Sequence, residues 1–398
     1  MSAAPERRLR IVVPRYGRDI VGGTESLMRS LAHSLRDAGW YVEVFTTCAD
    51  DERTWTNAMR PGCTTEDGVP VHRFPVAVPR LPRAFHQASR VFWRVPSPLR
   101  PERAWILAQG PYAPRLIAAL RAAPAMPTIF MPYLFHPTLR GLPATPGVRL
   151  LVPAAHDERP MMLRAVDRML AETDAVLYST EEERTILEAA HPIASTLPHA
   201  VGTVAVIPPA TVDGQRFRER HAVRGEYFLY GGRSTPGKGL EQLIEGIMRL
   251  RGAGHPDVEL VLTGEAGRGR RNEHGVLALG RLDAGDRWDA IAGATAAIVP
   301  SFHESLSLLA LEAWAVETPV LGNAASPVLA GQIARSGGGI AYHGAAGLAA
   351  GAQRLLDDAA GAAAFGTAGR AYVEANYRWP AVHERLLELI AAGARHRS

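Results

Sequence analysis

The sequence predicts an α/β protein of two doubly wound, Rossmann-like domains. Three observations predict it. Short apolar runs that read as buried strands alternate with helical spacings; the alternation stops at one place, VIPPATVDGQRFRER; and it then starts again. A chain of 398 residues, 47% hydrophobic, is long enough for two cores.

Taken in order, Ile11, Val12 and Val13 form a strand, YGRDIVGGTE a loop, and Leu27, Leu31 and Leu35 the apolar stripe of a helix, before a second strand at YVEVFTT. The apolar runs WILA (105–108), TIFMPYL (128–134), LLVPAA (150–155) and AVLYST (175–180) then alternate with the helical patterns PRLIAALRAA and EEERTILEAA. Such alternation implies a parallel sheet covered on both faces. Two prolines and a glycine near 205–222 mark the linker, giving a first domain over 1–208 and a second over 209–373. The second runs EYFLYGG, LEQLIEGIMRLRGAG, VELVLTG, DRWDAIAGA, AAIVPS. Residues 374–398 read as a helix, broken at Pro380, that returns to the first domain. Ligands of open α/β sheets sit at the carboxyl ends of strands, so two such domains facing each other would enclose a cleft.

A net charge of +4 argues against a nucleic-acid binder, although residues 1–150 hold 20 arginines against 11 acids. MSAAPERRLRIVVP carries charges where a secretion signal needs an apolar stretch, and Cys48 and Cys63 are the only cysteines, so a cytoplasmic protein with reduced thiols is expected. Residues 80–103 interleave Arg80, Arg83, Arg90 and Arg94 with Phe85, Phe92 and Trp93. That segment is either a solvated loop or short helix, or a peripheral contact with a membrane's inner face or an anionic acceptor.

In GGRSTPGKGLEQL, Lys238 is the only lysine among 44 basic residues. Gly232, Gly237 and Lys238 fit a P-loop spacing, but Gly239 stands where that loop needs a hydroxyl for Mg²⁺. What remains is an anion site: Arg233, Lys238 and the start of a helix. In PSFHESLSLLALEAWAVETPVLGN, Glu304 and Glu312 are eight apart. A helix starting near Ser305 would hold them ~12 Å apart along its axis, with free N–H groups between them for a phosphate. A nucleotide diphospho sugar has that layout of sugar hydroxyls, pyrophosphate and ribose.

These two stretches and the early GGTE resemble the retaining glycosyltransferases of family 4, with the GT-B fold, in order and spacing over most of the chain. The resemblance implies that Glu304 contacts donor-sugar hydroxyls, with Ser305, Leu306 and Ser307 beside it, and that Glu312 contacts the ribose. It also implies that Arg233 and Lys238 hold the pyrophosphate, and that Gly22 and Gly23 let backbone approach donor and acceptor. Leu306 and Ser307 replace the family's usual phenylalanine and glycine, and Thr318 its glycine, which touches sugar preference rather than reaction.

On the acceptor side, His136 follows one strand and His156, Asp157 and Glu158 the next, with His136, His156 and Asp157 the catalytic candidates together with Glu304. No H-E-x-x-H, C-x-x-C or D-x-D occurs, so neither metal nor cofactor is expected, the leaving diphosphate being neutralised by Arg233, Lys238 and the helix N-terminus. The co-substrate would be a UDP- or GDP-sugar and the acceptor a small molecule, glycan or lipid-linked hydroxyl. A nucleotide-sugar 2-epimerase of the same fold and a catalytically silent sugar-binding relative stay open as alternatives.

Overall fold

The computed structural model describes residues 7–397 except 21, 233–236, 265–271 and 273. The chain divides into two compact units, Met1–Val204 with Trp379–Ser398, and Ala205–Arg378.

The first unit holds β1 (Arg8–Val12), β2 (Tyr41–Thr47), β3 (Gly62–Glu66), β4 (Val69–Phe74), β5 (Thr128–Phe130), β6 (Arg149–Leu151), β7 (Ala175–Tyr178) and β8 (His199–Val201). They lie in the order β3-β4-β2-β1-β5-β6-β7-β8, parallel except for β3, which pairs antiparallel with β4. Val12, Phe45, Phe130, Leu151 and Val176 join its core. Arg10, in the middle of β1, is buried beside its register partner Glu43 of β2 with N–O at 2.7 Å, a charge pair where an apolar run alone would be looked for.

The second unit holds β9 (Tyr227–Gly232), β10 (Glu259–Gly264), β11 (Val276–Gly280), β12 (Ala296–Val299), β13 (Val320–Asn323) and β14 (Gly339–Tyr342). Their order is β11-β10-β9-β12-β13-β14, with every pairing parallel. β9 has β10 on one side and β12 on the other, so the switch point of this sheet lies between the carboxyl ends of β9 and β12.

One expected element is overturned and two are refined. WILA is not a strand: it lies in the helix Glu102–Gln109, whose buried residues Glu102, Trp105, Ile106 and Gln109 follow the helical period. Four apolar residues are too few to tell the two periods apart, and the buried acid hid the helical face. The break in the tail falls at Tyr377 and Arg378, just before Pro380. The helix Ala359–Asn376 ends inside the second unit, where the buried Tyr377 accepts Val206 N–H, and Pro380 sits in the first turn of Trp379–Arg397, which a proline tolerates. That last helix buries Val382, Leu386, Leu389 and Gly393 in the first unit; Arg385 donates to the Val201 carbonyl at 2.5 Å and Arg397 pairs with Asp174 at 3.2 Å. The 80–103 segment contains the short helix Pro82–Phe92, the first of its two readings, but its aromatics turn inward: Phe92 is buried in the core and Phe85 and Trp93 pack half-buried against it, each ring within 5.7 Å of the Trp105 ring.

Candidate functional site

Each unit, taken by itself, has its candidate residues near the carboxyl ends of its strands. In the second unit, the glycine turn after β9 meets the loop after β12 at the switch point. Lys238 Nζ lies 2.6 Å from Glu304 Oε1, and Phe302 N–H donates to the Gly237 carbonyl at 3.0 Å. Gly239 begins the helix Leu240–Gly252 with φ 71°, and a Cβ there would stand 2.2 Å from the Pro300 carbonyl oxygen. Left-handed backbone and lack of room together explain why no serine or threonine stands where a P-loop would carry one. Arg233 lies outside the described residues.

The helix after Glu304 starts later than its sequence suggests, at Leu308, with the Ser307 hydroxyl accepting Ala310 N–H at 3.2 Å as its cap. Ser305 and Leu306 are half-buried in the loop before it. The ~12 Å separation along one helix therefore does not apply, because half of the Glu304–Glu312 interval is loop. Glu312 pairs with Arg287 of the helix Ala284–Ala292; burial raises its carboxyl pKa and Arg287 opposes the rise. The structure thus joins Lys238 with Glu304 directly and places Glu312 on the following helix with a partner of its own.

In the first unit, Gly22 and Gly23 open the helix Gly23–Asp37 after β1. A Cβ on Gly22 would lie 2.0 Å from Glu25 Oε2, whereas one on Gly23 meets nothing within 4 Å. Glu25 pairs with Arg15 at 2.6 Å, and Arg15 donates to the Asp50 carbonyl at 2.9 Å and to Glu52 at 3.2 Å. Burial raises the Glu25 pKa against the pull of Arg15. This buried network fixes the loop that carries both glycines.

His136 starts the short helix His136–Gly141, buried, with its ring edge-on to Tyr112 at 5.1 Å and Nδ1 unpartnered. Burial first, then Arg140, hold its pKa down to about 4, so at neutral pH it is an uncharged imidazole. His156 is half-exposed beside Glu158 at 3.6 Å, and Tyr133 donates to Glu158 at 2.7 Å. Asp157 is exposed next to it. Three contributors escaped sequence reasoning. Arg287 is one, and Asn323, which donates to the Pro300 carbonyl at 3.0 Å from the end of β13, is another. The third is Glu183, fully buried and accepting Ala155 N–H at 2.7 Å. Only Asn323 carried a signal, as the polar end of an apolar strand. Among the described residues no group of three His, Cys, Asp or Glu side chains is placed to hold a metal ion.

Residues 212–372 match the family model of glycosyl transferases group 1, and residues 22–201 that of the glycosyl transferase 4-like domain. Glycogen synthase of Mycobacterium tuberculosis (strain CDC 1551 / Oshkosh) is 32% identical over 180 residues, 42% of this chain and 42% of that protein, so the match spans less than half of the relative's length. Among solved structures, sucrose-phosphate synthase from Thermosynechococcus elongatus aligns over 96% of this chain and 98% of its own at 18% identity, TM-score 0.68. Anabaena HepE, whose structure is a complex with UDP, aligns over 97% and 100% at 15% identity, TM-score 0.67. With both halves matched in order, the chain belongs to the group 1 glycosyltransferases and has their GT-B fold.

Proposed function

We propose that the protein is a retaining, metal-independent glycosyltransferase that moves a sugar from a UDP- or GDP-sugar to a hydroxyl acceptor. The observation that carries this reading is the Lys238–Glu304 contact at 2.6 Å at the switch point of the second sheet. It puts a cation suited to a diphosphate against a carboxylate suited to sugar hydroxyls, next to a helix N-terminus. The UDP in the HepE complex supports a nucleoside diphosphate as the leaving group.

In the transfer, the bond from the anomeric carbon to the diphosphate breaks and a bond to the acceptor oxygen forms on the same face. The acceptor proton passes to the departing diphosphate oxygen. Lys238 and Arg233 stabilise the charge that develops there, and Glu304 orients the sugar. Glu312 holds the ribose, Gly22 and Gly23 leave room for the donor, and His156, Asp157 and the neutral His136 line the acceptor side as hydrogen-bonding groups. Sugar transfer from UDP- and GDP-sugars, followed by nucleoside diphosphate release, is expected to continue at full rate in excess EDTA. Loss of turnover on chelation, restored by Mg²⁺ or Mn²⁺, would contradict it.

The reading includes a cytoplasmic enzyme that touches an anionic membrane face. No helix of the described residues is long and apolar enough to span a membrane. With the aromatics of 80–103 turned inward, the outer face shows Leu81 (72% exposed), Val91 (62%) and Leu99 (76%) together with exposed Arg83, Arg90 and Arg94, and residues 68–101 contain no acid. At about 1 kcal/mol for each surface arginine, the triple change of Arg83, Arg90 and Arg94 to glutamine should weaken binding to phosphatidylglycerol vesicles ~100-fold in a sedimentation assay. Equal binding by wild type and triple variant would refute the contact.

A further inference from the structure

The segment from Ala154 to Glu158, between β6 and the helical turn Arg159–Met162, carries His156 and Asp157 outside any strand or helix, and Ala154 has φ 52°. Side chains from elsewhere hold it. Glu183 Oε1 accepts Ala155 N–H at 2.7 Å while Oε2 accepts Ser179 N–H, at the end of β7, at 2.5 Å. Tyr133 holds Glu158 at 2.7 Å. The buried His191 ring places Nε2 at 2.6 Å from the Met161 carbonyl oxygen and Nδ1 at 2.6 Å from Asp167.

We propose that Glu183 and His191 are positioning residues for the acceptor side: through the Ala155 N–H and the Met161 carbonyl they fix the segment that presents His156 and Asp157. The proposal rests on the reading that these two residues serve the acceptor. Glu183 stands three residues after Thr180, whose hydroxyl accepts Glu183 N–H and caps the helix Glu181–Ala190. In that position a glutamate ordinarily serves its own helix start. Here the carboxylate takes the Thr180 N–H of its own helix start and also reaches beyond it, to the end of one strand and to the loop after the next strand over, at the cost of complete burial.

The Glu183 anchor responds to pH. Burial lifts the Glu183 carboxyl to about 7 against the pull of its N–H donors, whereas in an opened, hydrated segment it returns toward 4.5. The closed segment therefore binds the proton more tightly, and opening becomes easier as pH rises from 4.5 through about 7. The neighbouring charged and titratable groups are Tyr178 of β7, Arg184 and Glu188 of the same helix as Glu183, and Asp167 on the helix Arg164–Leu170.

Hydrogen exchange by mass spectrometry on the full chain tests this without any ligand. In Glu183→Gln and in His191→Asn, amides of 154–161 are expected to exchange ~10-fold faster, with peptides of β5 and of β9 unchanged. In the wild type, protection of 154–161, corrected for intrinsic rates, should fall as pH rises from 4.5 to about 7. Unchanged exchange in the variants, loss of protection throughout the first unit, or a wild-type series flat with pH would each overturn the proposal. The wild-type series stands alone if a variant does not fold. The acceptor-side reading is tested separately by His156→Ala turnover, so a segment that is held as described and a His156 that is dispensable are distinguishable results.

Discussion

Glu304→Ala is expected to lower sugar transfer at least ~100-fold, equivalent to about 2.7 kcal/mol of transition-state stabilisation, while nucleoside diphosphate binds as tightly as before or more tightly. Lys238→Ala, in contrast, should lose both. The asymmetry comes from the ion pair: in the free protein Lys238 Nζ is engaged by Glu304 at 2.6 Å, and both side chains are mostly shielded from water. A diphosphate must draw the ammonium away from that carboxylate. Without Glu304 the ammonium is released for the proposed phosphate contact, but the group proposed to orient the sugar is gone. Calorimetric titration with UDP and GDP beside transfer rates would show the split. Parallel loss of binding and turnover in Glu304→Ala would mean that the carboxylate does not compete for Lys238.

The second large effect is on stability. Gly239→Ala is expected to cost roughly 3 kcal/mol, from the ~1–2 kcal/mol penalty of a left-handed alanine and from contact with the chain opposite. A Cβ 2.2 Å from the Pro300 carbonyl oxygen meets backbone, which cannot swing aside as a side-chain tip would. The glycine turn and the 300–304 loop would be forced apart, breaking the Phe302–Gly237 bond and separating Lys238 from Glu304. Urea unfolding should register the loss, with diphosphate affinity falling alongside. A change below ~0.5 kcal/mol, the range of an ordinary surface substitution, would show that the turn has slack.

The sheets were legible because buried parallel strands leave near-continuous apolar runs, and AVLYST or AAIVPS carry that signal without help from distant residues. The hairpin of β3 and β4 was not, since GCTTE is exposed along most of its length and only β4 alternates buried and half-buried positions. Lys238 and Glu304 stood out by type and setting, a lone lysine in a glycine turn and an acid between a strand and a helix. The partners that arrange the site did not. Glu25 waits on Arg15, ten residues away and across a loop; Glu312 on Arg287; and Glu183 on a backbone N–H 28 residues earlier. Within its own helix Glu183 reads as a first-turn acid, and only folding shows that its carboxylate is spent on the segment before His156. The inward turn of Phe85, Phe92 and Trp93 was equally hidden, because the ring they pack on, Trp105, sits in a run whose helical period was masked.

The proposed diphosphate site works through Lys238 and without metal. Its most direct test is thermal unfolding of wild type and Lys238→Ala with UDP, GDP, ADP, dTDP and their common sugar conjugates, in EDTA throughout. UDP or GDP and its sugar conjugates are expected to raise the melting temperature of the wild type, and the rise to disappear in Lys238→Ala. No shift with any nucleotide, or a shift that survives in the variant, would contradict it.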